Sequence, residues 1–204
     1  MTDDKAAHWE NVYNNKGDQE VSWFEDSPHL SLRLINQAGA TSDDAVVDVG
    51  GGASRLVDAL VANGQAHITV LDLSAAALDR ARSRLSGARQ VDWVVSDITT
   101  WSPPRQFNIW HDRAAFHFLT TPADQQAYSA VLRAALPPGG VAIIGTFALD
   151  GPEKCSGLPV ARYDAPSLSA VLGEDFSLLS SLLHQHSTPW GAIQRFHFAT
   201  FRRR

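Results

Sequence analysis

The sequence predicts an α/β fold, because from Ala45 onward short apolar runs alternate with amphipathic segments, each bounded by turn or capping residues. A chain of 204 residues, 44% of them hydrophobic, is long enough to bury one substantial core. Residues 1–40 hold no strand-like run, but carry Trp9, Tyr13, Trp23 and Phe24 among polar residues. They read as helical cover over a core formed by residues 41–204, with the whole chain 1–204 as a single domain.

The elements follow in order. Ala45 to Val49 reads as the first strand, and Leu56, Val57, Leu60 and Val61 keep helical spacing up to Gly64, a helix stop. His67 to Leu71 is the second strand. Ser74 caps the next helix, whose buried stripe is Ala77, Leu78, Ala81 and Leu85 before Gly87. Val91 to Val95 is the third strand and Phe107 to His111 the fourth, after the loop that contains Pro103 and Pro104. Thr121 and Pro122 form a cap and first turn for a helix with Ala127, Val131, Leu132 and Ala135 inward, and Pro137-Pro138-Gly139-Gly140 ends it. Val141 to Phe147 is an apolar strand. A loop from Asp150 to Pro159 leads to a short helix near Pro166 to Leu172, and strands at Ser177 to Leu183 and Ala192 to Phe201 close the sheet. In the last, Ile193, Arg195, His197 and Ala199 alternate with Phe196, Phe198 and Thr200.

The formal net charge of -5 provides no long-range attraction for a phosphate backbone, so nucleic acid is not an expected partner. Arg202, Arg203 and Arg204 are the one dense basic run and read as a solvated tail. The single cysteine, Cys155, cannot form an intramolecular disulfide or a multi-thiolate zinc site. No charged-then-apolar leader and no apolar run of roughly eighteen residues is present, so a cytoplasmic protein without a membrane partner is expected.

The chemistry concentrates at the strand ends. A strand containing Asp48 runs into Gly50-Gly51-Gly52 and then a helix, a turn that lets backbone approach a ligand closely. The dinucleotide fingerprint needs a further glycine where this chain has Arg55, which weakens a nicotinamide-dehydrogenase reading; that reading and a non-catalytic nucleotide-binding protein remain distant alternatives. Asp48 beside the turn suits a cationic ligand. Asp72, at the end of the second strand, is placed to accept from both hydroxyls of a ribose, and Asp97, just past the third, from an adenine amino group. S-adenosylmethionine presents an ammonium, a sulfonium, a ribose and an adenine. Any one Asp is more often a capping residue; three at successive strand ends form a pattern.

The series Asp48-Val49-Gly50-Gly51-Gly52-Ala53-Ser54, Leu71-Asp72-Leu73-Ser74, Val95-Ser96-Asp97-Ile98 and Leu136-Pro137-Pro138-Gly139-Gly140 resembles the motif order of class I S-adenosylmethionine-dependent methyltransferases. Ser54 stands where that family usually has its third glycine. The resemblance implies a Rossmann-like, seven-stranded mixed sheet of order 3-2-1-4-5-7-6 and a cofactor held by Asp48, Gly50, Gly51, Gly52, Asp72, Leu73, Asp97 and Ile98. Trp23 is expected to close over it, since ring faces attract a sulfonium and exclude water. For Tyr13 and Phe24 hydrophobic packing is the better reading.

The stretch from Phe107 to Leu119, with Trp9 to Tyr13 and Val21 to Phe24, is similar to a bacterial methyltransferase group, to methyltransferase-like lysine methyltransferases and, more distantly, to thiol and thiopurine methyltransferases. By that resemblance Asp112 lies just after the fourth strand and is the candidate catalytic residue, with a capping or ion-paired carboxylate as an equal competitor. The expected acceptor is a small-molecule thiol or amine; protein lysine is the alternative. Cys155 lies in a loop that can line the acceptor pocket, although a buried small hydrophobe is its default role. His184, His186 and His197 suggest a metal set, but ordinary sheet histidines are the stronger reading. No metal ligands are assigned.

Overall fold

The computed structural model describes residues 2–204. Seven strands form one sheet: β1 (Ala45–Val49), β2 (His67–Asp72), β3 (Val91–Val95), β4 (Ile109–Arg113), β5 (Val141–Phe147), β6 (Phe176–Ser187) and β7 (Ile193–Arg203). The order across it is β3-β2-β1-β4-β5-β7-β6, with β7 antiparallel to β5 and to β6 and all other pairs parallel. A separate two-stranded hairpin, Lys154–Cys155 with Leu158–Pro159, breaks the loop read from the sequence.

Helices α1 (Thr2–Asn15) and α2 (His29–Gln37) precede the sheet, and α3 (Leu56–Ala62), α4 (Ala75–Arg84), α5 (Pro122–Ala135) and α6 (Ala165–Leu172) lie between strands. The predicted caps form. Ser74 Oγ accepts from Ala77 N–H at 3.1 Å, and Thr121 Oγ1 from Asp124 N–H at 3.1 Å with Pro122 in the first turn. Each satisfies a helix-end donor that has no partner within its helix. α6 starts one residue earlier than read, because Asp164 supplies its cap by accepting from Ser167 N–H.

The core has two halves, one on each face of the sheet. Val47, Val49, Trp110, Ile144 and Phe201 meet Tyr128, Leu132 and Leu168 from α5 and α6 on one face. Val46, Ile68, Val70 and Ile143 meet Leu34, Ile35, Leu56, Val57 and Leu78 from α2, α3 and α4 on the other. With helices on both faces, the central strands β1 and β5 are buried along their whole length, while β3 at the sheet edge is partly exposed.

Three sequence expectations need correction. β4 spans Ile109–Arg113, two residues later than Phe107 to His111, since Phe107 N–H donates to Ala135 O and Asn108 Oδ1 accepts from Ala45 N–H, so the ladder with β1 starts at Ile109. The terminal arginines are no solvated tail: β7 runs through Arg203, whose guanidinium reaches Leu136 O, and Arg204 Nε donates to Ser177 Oγ at 2.7 Å. Clean period-two exposure in β7 fails, because Phe196 to Phe201 are all buried where β5 and β6 flank the strand. Among the described residues no helix is long and apolar enough to cross a membrane.

Candidate functional site

The site lies where the parallel strands end and the chain turns into helices, the usual binding edge of an open α/β sheet. Gly50 leaves β1 with φ at +67°, its N–H donating to Leu71 O at 2.7 Å, and a Cβ there would come within 2.7 Å of Ala115 Cβ. Gly52, with φ at +46°, leaves room for the Asp72 carboxylate, which a Cβ would meet at 2.9 Å. Side chains are excluded from this turn by conformation and by space. Gly51 packs directly over Asp48, whose Oδ2 would lie 2.6 Å from an added Cβ.

One cavity of about 400 Å³ opens beside this turn. Val49, Gly50, Leu71, Asp72, Leu73, Ser96, Asp97, Ile98 and Thr99 line one part of it. Asp72 Oδ1 accepts from Ser74 N–H at 2.8 Å, yet burial pushes the carboxyl up to about 7, helped by the nearby Asp48 charge. Such a desolvated carboxylate at a cavity wall suits a ligand that brings hydroxyl donors. Asp97 Oδ1 is held by Thr99 N–H at 2.8 Å and Thr99 Oγ1 at 2.7 Å, which fixes its direction at the rim.

Asp48 is placed differently. It belongs to β1, points to the α2 side of the sheet, and receives the Nδ1–H of His111 on Oδ1 at 2.7 Å, while His111 Nε2 meets Ser31 Oγ at 2.9 Å. It lines a smaller adjoining recess with Gly50, Gly51, Tyr13, Trp23 and Arg113. The two recesses share Gly50, so Asp48 sits beneath the glycine turn rather than in the main cavity.

The sequence expectation for Asp112 as a residue beyond the strand does not hold. Because β4 runs on to Arg113, Asp112 is inside the strand, fully buried, and faces α5. Its oxygens accept from Ala115 N–H at 2.9 Å, Phe116 N–H at 3.1 Å and the Tyr128 hydroxyl at 2.7 Å, and it does not line the cavity. This is the capping carboxylate weighed as the competitor: it fixes the turn after β4 that carries Ala114, at φ +73°, against the site.

The N-terminal segment crosses the strand ends. Glu10 accepts from Ser74 Oγ at 2.8 Å at the start of α4, Lys5 reaches Asp124 at 3.5 Å at the start of α5, and His8 Nε2 lies 3.3 Å from Ser156 Oγ. Trp23 lines the cavity and donates to the Tyr13 hydroxyl at 3.2 Å. Tyr13 does more than pack, for it lines both recesses and its hydroxyl lies beside Gly52. Phe24 lines only the smaller one.

The histidines do not gather. His184 and His186 share a face of β6, but His197 pairs with Leu183 and so faces the other way. His186 instead donates to Ser22 O at 2.6 Å and meets Arg113 and Glu25. Among the described residues no group of three or more His, Cys, Asp or Glu is placed for a metal. Sequence reading missed Arg113, Phe118, Phe147, Gln194 and Phe196 as cavity residues, and no local motif marks them.

The Rossmann-like sheet, with a glycine turn and acids in β1, at the end of β2 and just past β3, is the arrangement that the sequence resemblance implies. A family model for a methyltransferase domain matches residues 46–140. The chain is 28% identical over 123 residues to nodulation protein S of Rhizobium tropici, covering 60% of this chain and 51% of that protein. It is 28% identical over 142 residues to EEF1A lysine methyltransferase 2 of Danio rerio, covering 65% and 61%. The chain therefore spans between about half and three fifths of the length of these curated relatives. The crystal structure of N-methyltransferase NodS from Bradyrhizobium japonicum WM9 in complex with S-adenosyl-L-homocysteine shares the fold, with a TM-score of 0.73, 16% identity, and coverage of 95% of this chain and 97% of that one. The matched domain model covers a little under half of the chain, and the chain has the fold of a methyltransferase solved with S-adenosyl-L-homocysteine.

Proposed function

We propose that the chain transfers a methyl group to a small-molecule nucleophile, a thiol sulfur or an amine nitrogen. The observation that carries this reading is the continuity of one cavity, from Asp72 and Asp97 past Gly50 to a second region lined by Phe118, Phe147, Cys155, Gln194 and Phe196. When bound, the cofactor supplies an activated methyl on a sulfonium. In this reading Asp72 holds the ribose hydroxyls, Leu73, Asp97 and Ile98 hold the adenine, and Gly50, Gly51 and Gly52 give backbone access to the amino-acid end. Asp48 contributes negative charge beneath that end, kept in position by His111 and Ser31. Trp9, Tyr13 and Trp23 exclude water above.

Transfer from a sulfonium asks the protein mainly for alignment and desolvation. Asp112 is assigned a positioning role, since both of its oxygens are bonded within the fold. Cys155, whose thiol burial pushes up to about 11, stays protonated and serves as wall rather than nucleophile.

Similarity to a lysine methyltransferase favours protein lysine as the second reading. Incubation with labelled donor, a panel of thiols and amines, and cell lysate tests the choice. Label is expected in the small compounds; label confined to lysate protein overturns the small-molecule reading.

A further inference from the structure

We propose that His186 is a positioning residue of the methyl-donor site: together with Arg113 it grips the turn that carries Trp23, and so holds the Trp23 ring against the donor's sulfonium. This inference rests on the assignment of the cavity as the methyl-transfer site, and concerns its junction with the smaller recess.

Four residues line both spaces: Tyr13, Trp23, Gly50 and Arg113. Trp23 therefore stands where the amino-acid end of a donor seated on the glycine turn gives way to the second region of the cavity. In the proposed pose that is the place of the sulfonium. An indole attracts a cation more strongly than any other aromatic side chain, provided that its ring is kept at the site. On an irregular segment the ring keeps its place only if the backbone beneath it is fixed.

Residues 21–24 form a turn, with Phe24 N–H donating to Val21 O at 3.3 Å. Such a turn leaves the carbonyls of its two central residues, Ser22 and Trp23, without partners of its own. Both are taken by side chains from the sheet. His186 Nε2–H, from β6, donates to Ser22 O at 2.6 Å, and the Arg113 guanidinium, from β4, donates to Trp23 O at 2.9 Å. The two gripping groups are joined, since an Arg113 N–H donates to His186 Nδ1 at 3.3 Å, which leaves the imidazole proton on Nε2. Glu25 answers the guanidinium at 3.0 Å, so the grip brings no unbalanced positive charge to the place of a cationic donor. Phe196 supports both groups: the guanidinium lies 5.1 Å from its ring centroid, and the imidazole meets it edge-on at 6.1 Å. At the far end of the side chain, the Trp23 indole N–H donates to the Tyr13 hydroxyl at 3.2 Å. His186 is 3% exposed and lines neither space, so its influence on a donor passes through the turn.

The test is calorimetry of the full chain with S-adenosylmethionine and with S-adenosylhomocysteine, which differ only in the methyl group and its positive charge. The ratio of the two dissociation constants reads the sulfonium contact, whereas a merely structural defect weakens both compounds alike. Trp23→Leu is expected to shift the ratio against S-adenosylmethionine about fivefold or more. His186→Leu, which removes the donor to Ser22 O, is expected to shift it the same way by about threefold, and His186→Gln, whose amide keeps an N–H donor, to restore it. In the Trp23→Leu background His186→Leu is expected to add nothing, because a residue that acts through Trp23 has no effect once that ring is gone. A ratio unmoved by Trp23→Leu overturns the proposal whether or not the His186 variants fold. So does a ratio unmoved by His186→Leu, failure of His186→Gln to restore it, or an equal shift by His186→Leu with and without Trp23. Failure of wild type to bind either compound sinks the methyltransferase reading itself, while binding of both with an unmoved ratio sinks only this inference.

Discussion

The Tyr128 hydroxyl donates to Asp112 Oδ2 at 2.7 Å in the interior between β4 and α5, and itself receives the indole N–H of Trp110 at 2.8 Å. A carboxylate so enclosed belongs to the scaffold. Tyr128→Phe is expected to lower stability by about 1–3 kcal/mol, since it strips a donor from a buried acceptor, while donor affinity changes little. Chemical denaturation paired with donor calorimetry checks both; a large loss of donor binding with unchanged stability contradicts the scaffold role.

Asp72 and Asp112 give the unliganded protein a characteristic pH dependence. Burial raises them to about 7 and about 6, above the unfolded aspartate value of about 3.9, so the folded state holds protons that the unfolded state has released. Their contribution to stability is fully present below about pH 4 and is lost as pH rises through about 6 to 7. Asp72→Asn removes the ionisable group, and its unfolding free energy is expected to fall less than that of wild type between pH 5 and 8, by on the order of a few kcal/mol. A wild-type profile that rises across this interval is the contrary result.

Donor binding carries the opposite sign. In the proposed role Asp72 accepts two ribose hydroxyls as an ionised group, so below about pH 7 it must release a proton on binding. Donor affinity should therefore climb with pH and level off above about 7. Calorimetry in buffers of different ionisation enthalpy reads the released proton directly. Asp72→Ala is expected to weaken donor binding about 10- to 100-fold, from the loss of charge-assisted hydrogen bonds.

At Gly50 and Gly52 the backbone conformation and the space agree. Gly50→Ala places a side chain at φ +67° and 2.7 Å from Ala115 Cβ, so a loss of about 1–3 kcal/mol in stability and weakened donor binding are expected. Gly39→Ala, also at positive φ but with open space around it, should cost less stability and leave donor affinity intact. Equal donor affinity in Gly50→Ala and wild type, measured by calorimetry, counts against the turn as the ligand contact.

The links that hold α1 across the site differ in strength. Lys5 and Asp124 are each about a third exposed and 3.5 Å apart, a screened pair worth about 0–1 kcal/mol. Glu10 bonds Ser74 Oγ and approaches the α4 amino end, where a carboxylate gains from both hydrogen bonding and the helix dipole. Glu10→Gln is expected to lower the thermal midpoint more than Lys5→Ala, and the gap to shrink in high salt. Thermal scans at two ionic strengths decide it.

The helix caps at Ser74 and Thr121, the glycine turn, and the acids at or just past the ends of β1, β2 and β3 were legible in the sequence because each depends on residues a few positions apart. So was the sheet class, from the rhythm of apolar runs. Asp112 was misplaced because a two-residue extension of β4 preserves the alternation of faces: periodicity fits either start, and only the anchoring of Phe107 to Ala135 and of Asn108 to Ala45 chooses between them. The three histidines of β6 and β7 were separable only once hairpin register set Leu183 against His197. Trp9, Phe118, Phe147 and Phe196 come from four distant segments, and nothing local marks them as neighbours. The sequence by itself determined the α/β class of the fold and its glycine turn, whose physics is that of backbone torsion and hydrogen bonding over short spans. The tertiary structure alone decided which side of the sheet each acid faces and what walls the second half of the cavity, since burial and pairing depend on groups that only folding brings together.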